Sequence, residues 1–306
     1  MTRIQPTTRR LFLEQTTQVA AAGLVASWLD SRRAAAEPSQ KAWQIGCYTR
    51  PWDKYDYRVA LDAIADAGFR HVGLMTTKSK NGLVLSPAST IDEAHRIGEE
   101  VRQRGLSIPS VYGGGSTVAE FKRLVDNCAA ANAKTILAAG TSNPEEYDRY
   151  YKAIAETCDY AAEKGVGIVL KPHGALNANG PQCRKVILDV VGHKNFRMWY
   201  DPGNIYYYSE GKLDPVVDVT HVDGIVTGMC VKDFKQPRSV LVTPGDGLVD
   251  FLSLFARLKK GGFTHGPLVI ETLTPGNRPA LLKEAKRARE HLEQVVNRAQ
   301  AGGARR

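Results

Sequence analysis

The chain has 306 residues, 43% hydrophobic and 24% charged, enough apolar material for one large core or two small ones. Its formal charge is +9, yet the basic residues near the carboxyl end (Lys283, Lys286, Arg287, Arg289, Arg305, Arg306) lack interleaved aromatics. That pattern describes a solvated helix face and argues against a nucleic-acid groove.

Thr8-Arg9-Arg10-Leu11-Phe12-Leu13 resembles a twin-arginine export motif. A moderately apolar stretch, Val19 to Leu29, follows it, and then Ala34-Ala35-Ala36, a small-residue cleavage site. The expectation is a signal peptide over residues 1–36, with export to the periplasm. The apolar stretch falls well short of the ~20 residues that cross a bilayer, so no permanent membrane anchor is expected. Cleavage would remove five positive and two negative residues, taking the formal charge from +9 to +6. The cysteines (Cys47, Cys128, Cys158, Cys183, Cys230) form no Cys-x-x-Cys pair and are expected as buried free thiols.

Beyond the signal, strand and helix patterns alternate. Trp43 to Arg50 reads as the first strand and Tyr57 to Gly68 as a helix with apolar positions at Val59, Leu61, Ile64 and Ala67. Phe69 to Met75 is the second strand, and Ile91 to Gly105 a helix capped by Ser89 or Thr90. Strands Leu106 to Tyr112 and Lys134 to Ala139 flank a helix from Val118 to Asn132. A long helix, Tyr147 to Gly165, leads to the fifth strand, which ends in Lys171-Pro172-His173. A short helix, Gln182 to Val191, precedes the sixth strand, Phe196 to Asp201, and Pro215 to His221 is a weak helix. Ile225 to Phe234, Phe251 to Gly261, Leu268 to Thr272 and Pro279 to Ala299 complete the alternation. Gly68, Gly105, Gly165 and Gly262 stand where helices must stop. Eight strand–helix pairs in roughly 265 residues fit a single-domain (β/α)8 TIM barrel over residues 37–300, with a disordered tail at 301–306.

In such a barrel the working groups lie at the carboxyl ends of the strands. Those ends carry Tyr48, Thr49 and Arg50, then Tyr112, Lys171 and His173, Asp201 and Asn204, Cys230, Lys232 and Asp233, and Glu271. Alternation puts Val169, Lys171 and His173 on one face of strand five, and Trp199 and Asp201 on one face of strand six. Lys171 and Asp201 can then face each other across the mouth. Burying so many ionisable groups is costly unless they work together.

Tyr200-Asp201-Pro202-Gly203-Asn204, Val231-Lys232-Asp233, Pro244-Gly245-Asp246-Gly247-Leu248-Val249-Asp250-Phe251 and Leu268-Val269-Ile270-Glu271 occur in that order. On these pieces the chain, from about Trp43 to Leu292, resembles the xylose-isomerase-like barrels, the sugar phosphate isomerase/epimerase group. The resemblance implies one divalent cation (manganese, magnesium, cobalt or zinc) held by a Glu on strand five, an Asp on strand six, a His on strand seven and a Glu on strand eight. Asp201 and Glu271 match the second and fourth positions; Lys171 and Cys230 stand at the other two. An ammonium has no lone pair to give a metal. Two arrangements stay open. A metal is held by Asp201, Glu271, His173 and Cys230 with Lys171 displaced, or Lys171 replaces the metal between the two carboxylates, its own pKa high and theirs depressed.

The resemblance implies an isomerase, epimerase or related lyase that removes a proton beside a carbonyl of a sugar. Glu271 is the expected base, Lys171 with Asp201 completes the catalytic set, and His173, Asn204, Lys232, Asp233, Arg50 and Tyr48 are expected to bind substrate. The alternative is a non-catalytic carbohydrate-binding barrel that has lost its metal. Trp52 and Tyr206, Tyr207 and Tyr208 are candidates for a sugar-stacking rim, with packing against the barrel as the competing role. The expected partner is a small carbohydrate, with no nucleic acid and homo-oligomer formation left open.

Overall fold

A computed structural model describes residues 43–302 except 80, 81 and 175. The expected signal peptide, residues 1–36, and residues 303–306 of the expected tail lie outside the described residues.

Eight parallel strands close on themselves in sequence order. They are β1 (Trp43–Tyr48), β2 (His71–Leu74), β3 (Ser107–Tyr112), β4 (Thr135–Ala138), β5 (Gly167–Leu170), β6 (Phe196–Tyr200), β7 (Val226–Val231) and β8 (Gly266–Ile270). Closure is made by β1 on β8, with Cys47 opposite Ile270. The connecting helices are α1 (Tyr57–Asp66), α2 (Ile91–Gln103), α3 (Val118–Ala130), α4 (Tyr147–Glu163), α5 (Gly180–Lys185), α6 (Pro202–Tyr208), α7 (Pro215–Asp218), α8 (Phe251–Lys260) and α9 (Arg278–Gly302).

Local signals set the ends of these elements. The Thr90 side chain accepts from the Glu93 N–H while the Glu93 carboxylate accepts from the Thr90 N–H, so Thr90, not Ser89, opens α2. All four glycines expected to end helices have φ between 69° and 99°. The helix expected over Gln182 to Val191 begins earlier, at Gly180, behind Asn179 as cap, and loosens to a π-helical turn over Val186–Val191. The last helix runs to Gly302, so the expected tail begins inside it, where Ala299 and Ala301 still favour helix. Except for β3, which ends at Tyr112 as expected, the strands stop one to three residues before the expected ends, where the chain leaves the sheet for the loops above the barrel.

Two apolar layers result. The larger lies between strands and helices and includes Trp52, Leu61, Phe121, Ile154 and Leu254, all fully buried. The smaller fills the barrel itself with Tyr48, Met75, Leu137, Val169, Trp199, Cys230 and Val269. Its two large rings lie against glycines. A Cβ at Gly73 would come within 2.2 Å of the Tyr48 ring, and one at Gly228 within 2.3 Å of Trp199. That plug is the floor of the site. All five cysteines are buried and free, as their spacing led one to expect. Among the described residues no helix is long and apolar enough to cross a membrane.

Candidate functional site

Directly above the plug, β5, β6, β7 and β8 deliver Lys171, Asp201, Lys232 and Glu271, all 2% exposed or less. Lys171 Nζ donates to Glu271 Oε2 at 2.7 Å and lies 3.6 Å from Asp201 Oδ2. It also stands 5.6 Å from the centre of the Tyr112 ring, a cation–π contact from β3. The inward-facing Lys171 expected from alternation is therefore found, close to both carboxylates.

A second ammonium shares them. Lys232 Nζ lies 3.1 Å from Asp201 Oδ2, 2.9 Å from Glu271 Oε1 and 3.0 Å from Asn204 Oδ1. Arg50, one-third exposed, reaches across the β1–β8 closure and donates from its guanidinium to Glu271 Oε1. Two carboxylates thus serve three cations, and the group carries one surplus positive charge. Lys232 was expected to hold substrate hydroxyls; its three donors are instead spent on the buried ion cluster.

Asp201 is also the N-cap of α6, accepting from the Asn204 N–H at 3.0 Å. Asn204 donates to the Pro172 carbonyl at 2.7 Å, which ties β5 to β6, and presents its oxygen to Lys232. It positions Lys232 rather than standing free for a substrate.

The charges shift as this geometry requires. Burial works against the Lys171 ammonium, but Glu271, Cys230 and Asp201 raise its pKa. Burial alone would raise Glu271, yet Lys171, Lys232 and Arg50 hold it well below the usual carboxylate range. Asp201 departs from the expectation: burial pushes it up despite Lys232 and Lys171, with Glu271 adding to the rise. Glu271, the expected base, is therefore the carboxylate least able to take a proton. His173 is lowered to about 4, first by burial and then by Lys171 and Lys232. It is neutral at neutral pH.

Above the cluster opens a cavity of about 420 Å³ lined by Arg50, His173, Asn204, Tyr207, Tyr208, Arg238, Leu241, Lys232 and Glu271 among others. His173 packs edge-on to Tyr208, with ring centres 5.5 Å apart. Arg238 is held over the Tyr207 ring at 4.6 Å and donates to the Tyr207 carbonyl. The sequence reading missed Arg238, which sits in a loop after β7 beyond the reach of strand alternation.

Other expected roles are corrected. Asp233 faces away from the mouth, and its carboxylate accepts from the N–H groups of Phe234, Gly245, Gly247 and Val249. It organises the loop that opens α8 and is fully used there. Tyr48 lies in the plug below the cluster, its hydroxyl donating to Ser110 at 2.8 Å. Trp52 is fully buried in the outer core and cannot form a rim. Tyr206 stacks on Phe234, while Tyr207 and Tyr208 do reach the cavity. Cys230 is buried between plug and cluster, 4.0 Å from the Tyr48 hydroxyl. Its Sγ and single oxygens of Asp201 and Glu271 all lie within 4.8 Å of one another, a set that could hold a metal ion.

The chain is 26% identical to an inosose dehydratase of Glaesserella parasuis serovar 5 (strain SH0165) over 175 residues, covering 50% of this chain and 57% of that one. It is 27% identical to the rhizopine catabolism protein MocC of Rhizobium meliloti over 170 residues, half of each chain. The chain thus spans about half the length of the curated relatives it matches. A solved L-ribulose 3-epimerase superposes with a TM-score of 0.67 at 15% identity, over 86% of this chain and 97% of that one. That likeness speaks for the fold. The family described as xylose isomerase-like TIM barrel matches residues 61–295, most of the barrel, and the chain belongs to that family.

Proposed function

We propose that the chain is a sugar isomerase or epimerase, or a related lyase, that removes a proton beside a carbonyl and uses buried ammonium groups where the family's cation would sit. The observation that carries this reading is the placement of Lys171 and Lys232 on the inner oxygens of Asp201 and Glu271, at the foot of a cavity lined by His173. The similarity to an inosose dehydratase supports the class of substrate.

The residues do not suit a divalent cation. The carboxylate oxygens that would bind it are taken by two ammonium groups, and a dication would add to a surplus of positive charge. A metal would also have to displace the proton of the fully buried Cys230 thiol, which burial favours. No step is therefore assigned to a metal.

Proton abstraction needs a base near the carbon and positive charge near the oxygen that becomes the enolate. Glu271 is disarmed by its three cations, so the base is assigned to His173, a neutral imidazole on the cavity wall. As the imidazole takes the proton, the carbon–hydrogen pair becomes the enolate's carbon–carbon double bond and the carbonyl π pair moves onto oxygen. The positive cluster stabilises the enolate, and returning the proton gives epimer, isomer or, with loss of a hydroxyl, a dehydrated product.

The test is proton exchange. Ketoses and inososes incubated with the protein in heavy water should incorporate deuterium beside the carbonyl, read by NMR, and His173→Gln should slow this by a factor of about 100 or more. Binding of the same compounds without any exchange would defeat the enzymatic reading in favour of a carbohydrate-binding barrel, which the full use of both carboxylates by lysines would also allow.

A further inference from the structure

We infer that the substrate of this site carries a negative charge of its own, a carboxylate or phosphate on the sugar skeleton. The inference rests on the reading of the mouth cavity as the substrate site and narrows what enters it.

Charge balance points there. The groups at and directly beneath the cavity are Lys171, Lys232, Arg50 and Arg238 against Asp201 and Glu271, two positive charges in excess. His173, neutral at neutral pH, adds none. The adjoining cavity of about 340 Å³, which shares Arg50, Leu241 and Glu271, adds Asp53 and Lys54, which cancel. Arg278 lies over the ring of Tyr55 on that side and adds a further positive charge. Beyond Asp201, Glu271 and Asp53, already counted, no acidic residue among the described lining residues offsets these cations.

The surplus has two depths. One positive charge is that of Arg50: Lys171 and Lys232 balance Asp201 and Glu271 in the buried cluster, and Arg50, one-third exposed, joins them from the cavity wall. The other is Arg238, whose guanidinium is spread over Tyr207 and anchored through Nε to a backbone carbonyl. That anchoring leaves the terminal nitrogens as the free end of a planar fork, the geometry that receives a carboxylate or phosphate. A neutral sugar would leave both charges unanswered; an anionic one supplies the missing counter-charge in the cavity.

A matched series separates the possibilities: D-fructose, D-fructuronate and D-fructose 6-phosphate share a ketone at the same carbon and differ at carbon six. Calorimetric titration should give affinity for at least one of the two anions about tenfold or more above that for D-fructose. The advantage should shrink as salt rises from ~0.1 M to ~1 M, where the screening length falls from about 10 Å to about 3 Å. Arg238→Gln, at an exposed position, should lower affinity for the favoured anion about tenfold and leave D-fructose within about twofold. Preference for fructuronate alone identifies a carboxylate, and preference for the phosphate ester identifies a phosphate; either supports the inference. Equal affinity for all three, binding of D-fructose alone, or binding of none overturns it. Deuterium exchange with D-fructose at a rate equal to the anions would overturn the charge requirement while leaving the proposed proton chemistry intact. Tight binding of an anion without exchange would do the reverse.

Discussion

Two lysines on the same two carboxylates need not matter equally, and replacing each by methionine separates them. Lys171→Met leaves Glu271 with Lys232 and Arg50, and leaves Asp201 with Lys232 and the Asn204 N–H. It also removes the surplus charge from the cluster. Lys232→Met is harsher, because Asp201 keeps only Lys171 at 3.6 Å as a cationic partner and Asn204 Oδ1 loses its donor. Stripping a partner from a buried ion pair costs about 3–5 kcal/mol, and an orphaned amide oxygen about 1–3 more. Lys232→Met should therefore lie at or above the top of the first range, and Lys171→Met near or below its foot. At about 2–4 °C of Tm per kcal/mol for a domain of this size, the two variants should differ by roughly 5 °C or more. Differential scanning calorimetry at neutral pH reads this directly. Equal melting temperatures, or a lower one for Lys171→Met, would show that Lys232 is not the central cation.

Manganese titrated into the wild-type protein should give no stoichiometric binding. Lys171→Glu with Cys230→His should gain little until Lys232→Met is added, since Lys232 still occupies the oxygens a metal needs; tight binding by the wild type would overturn the ammonium reading. The His173 pKa of about 4 lies below its unfolded value of about 6.5, so the unfolded chain binds the proton better. The stabilisation is present above pH ~6.5 and is lost as pH falls toward 4, by at most about 3 kcal/mol and less after solvent screening. Wild type and His173→Gln should therefore converge or cross in Tm over that window, and parallel profiles would contradict it. Asp233→Asn should loosen the 243–249 loop, seen as faster amide exchange at Gly245, Gly247 and Val249, with unchanged protection there refuting its role. For the proposed export signal, Lys substitution of both Arg9 and Arg10 should leave unprocessed precursor in the cytoplasm, and unchanged export would refute the motif.

Much of this arrangement was legible in order of appearance. Strand–helix alternation and stop glycines gave the barrel, and alternation along β5 placed Lys171 over Val169 and facing Asp201. What escaped lay beyond a single strand. Arg50 meets Glu271 only because β1 closes on β8, a neighbour relation that chain order hides. The Asp201-Pro202 step, a cap followed by proline, marks a helix start, but α6 spans only Pro202–Tyr208, too short to show a helical period. Lys232 was within reach: it follows Cys230 by two residues and so faces the same way. Charge alone made it look like a substrate contact. Its neighbour Asp233, one residue on, faces the loop for the same reason.

That adjacency makes the polarity of the mouth a question of phase. Gly228 against Trp199, Cys230 in the plug, and Lys232 in the cluster form one inward series; Val231 and Asp233 form the outward one. A slip of one residue at the end of β7 exchanges the two series. Asp233 would then join Asp201 and Glu271, Lys232 would leave them, and a mouth with two positive charges in excess would hold three of each sign. Between those states stands a single peptide unit, so a one-residue deletion there would erase the surplus charge of the mouth while leaving the fold's eight strands in place.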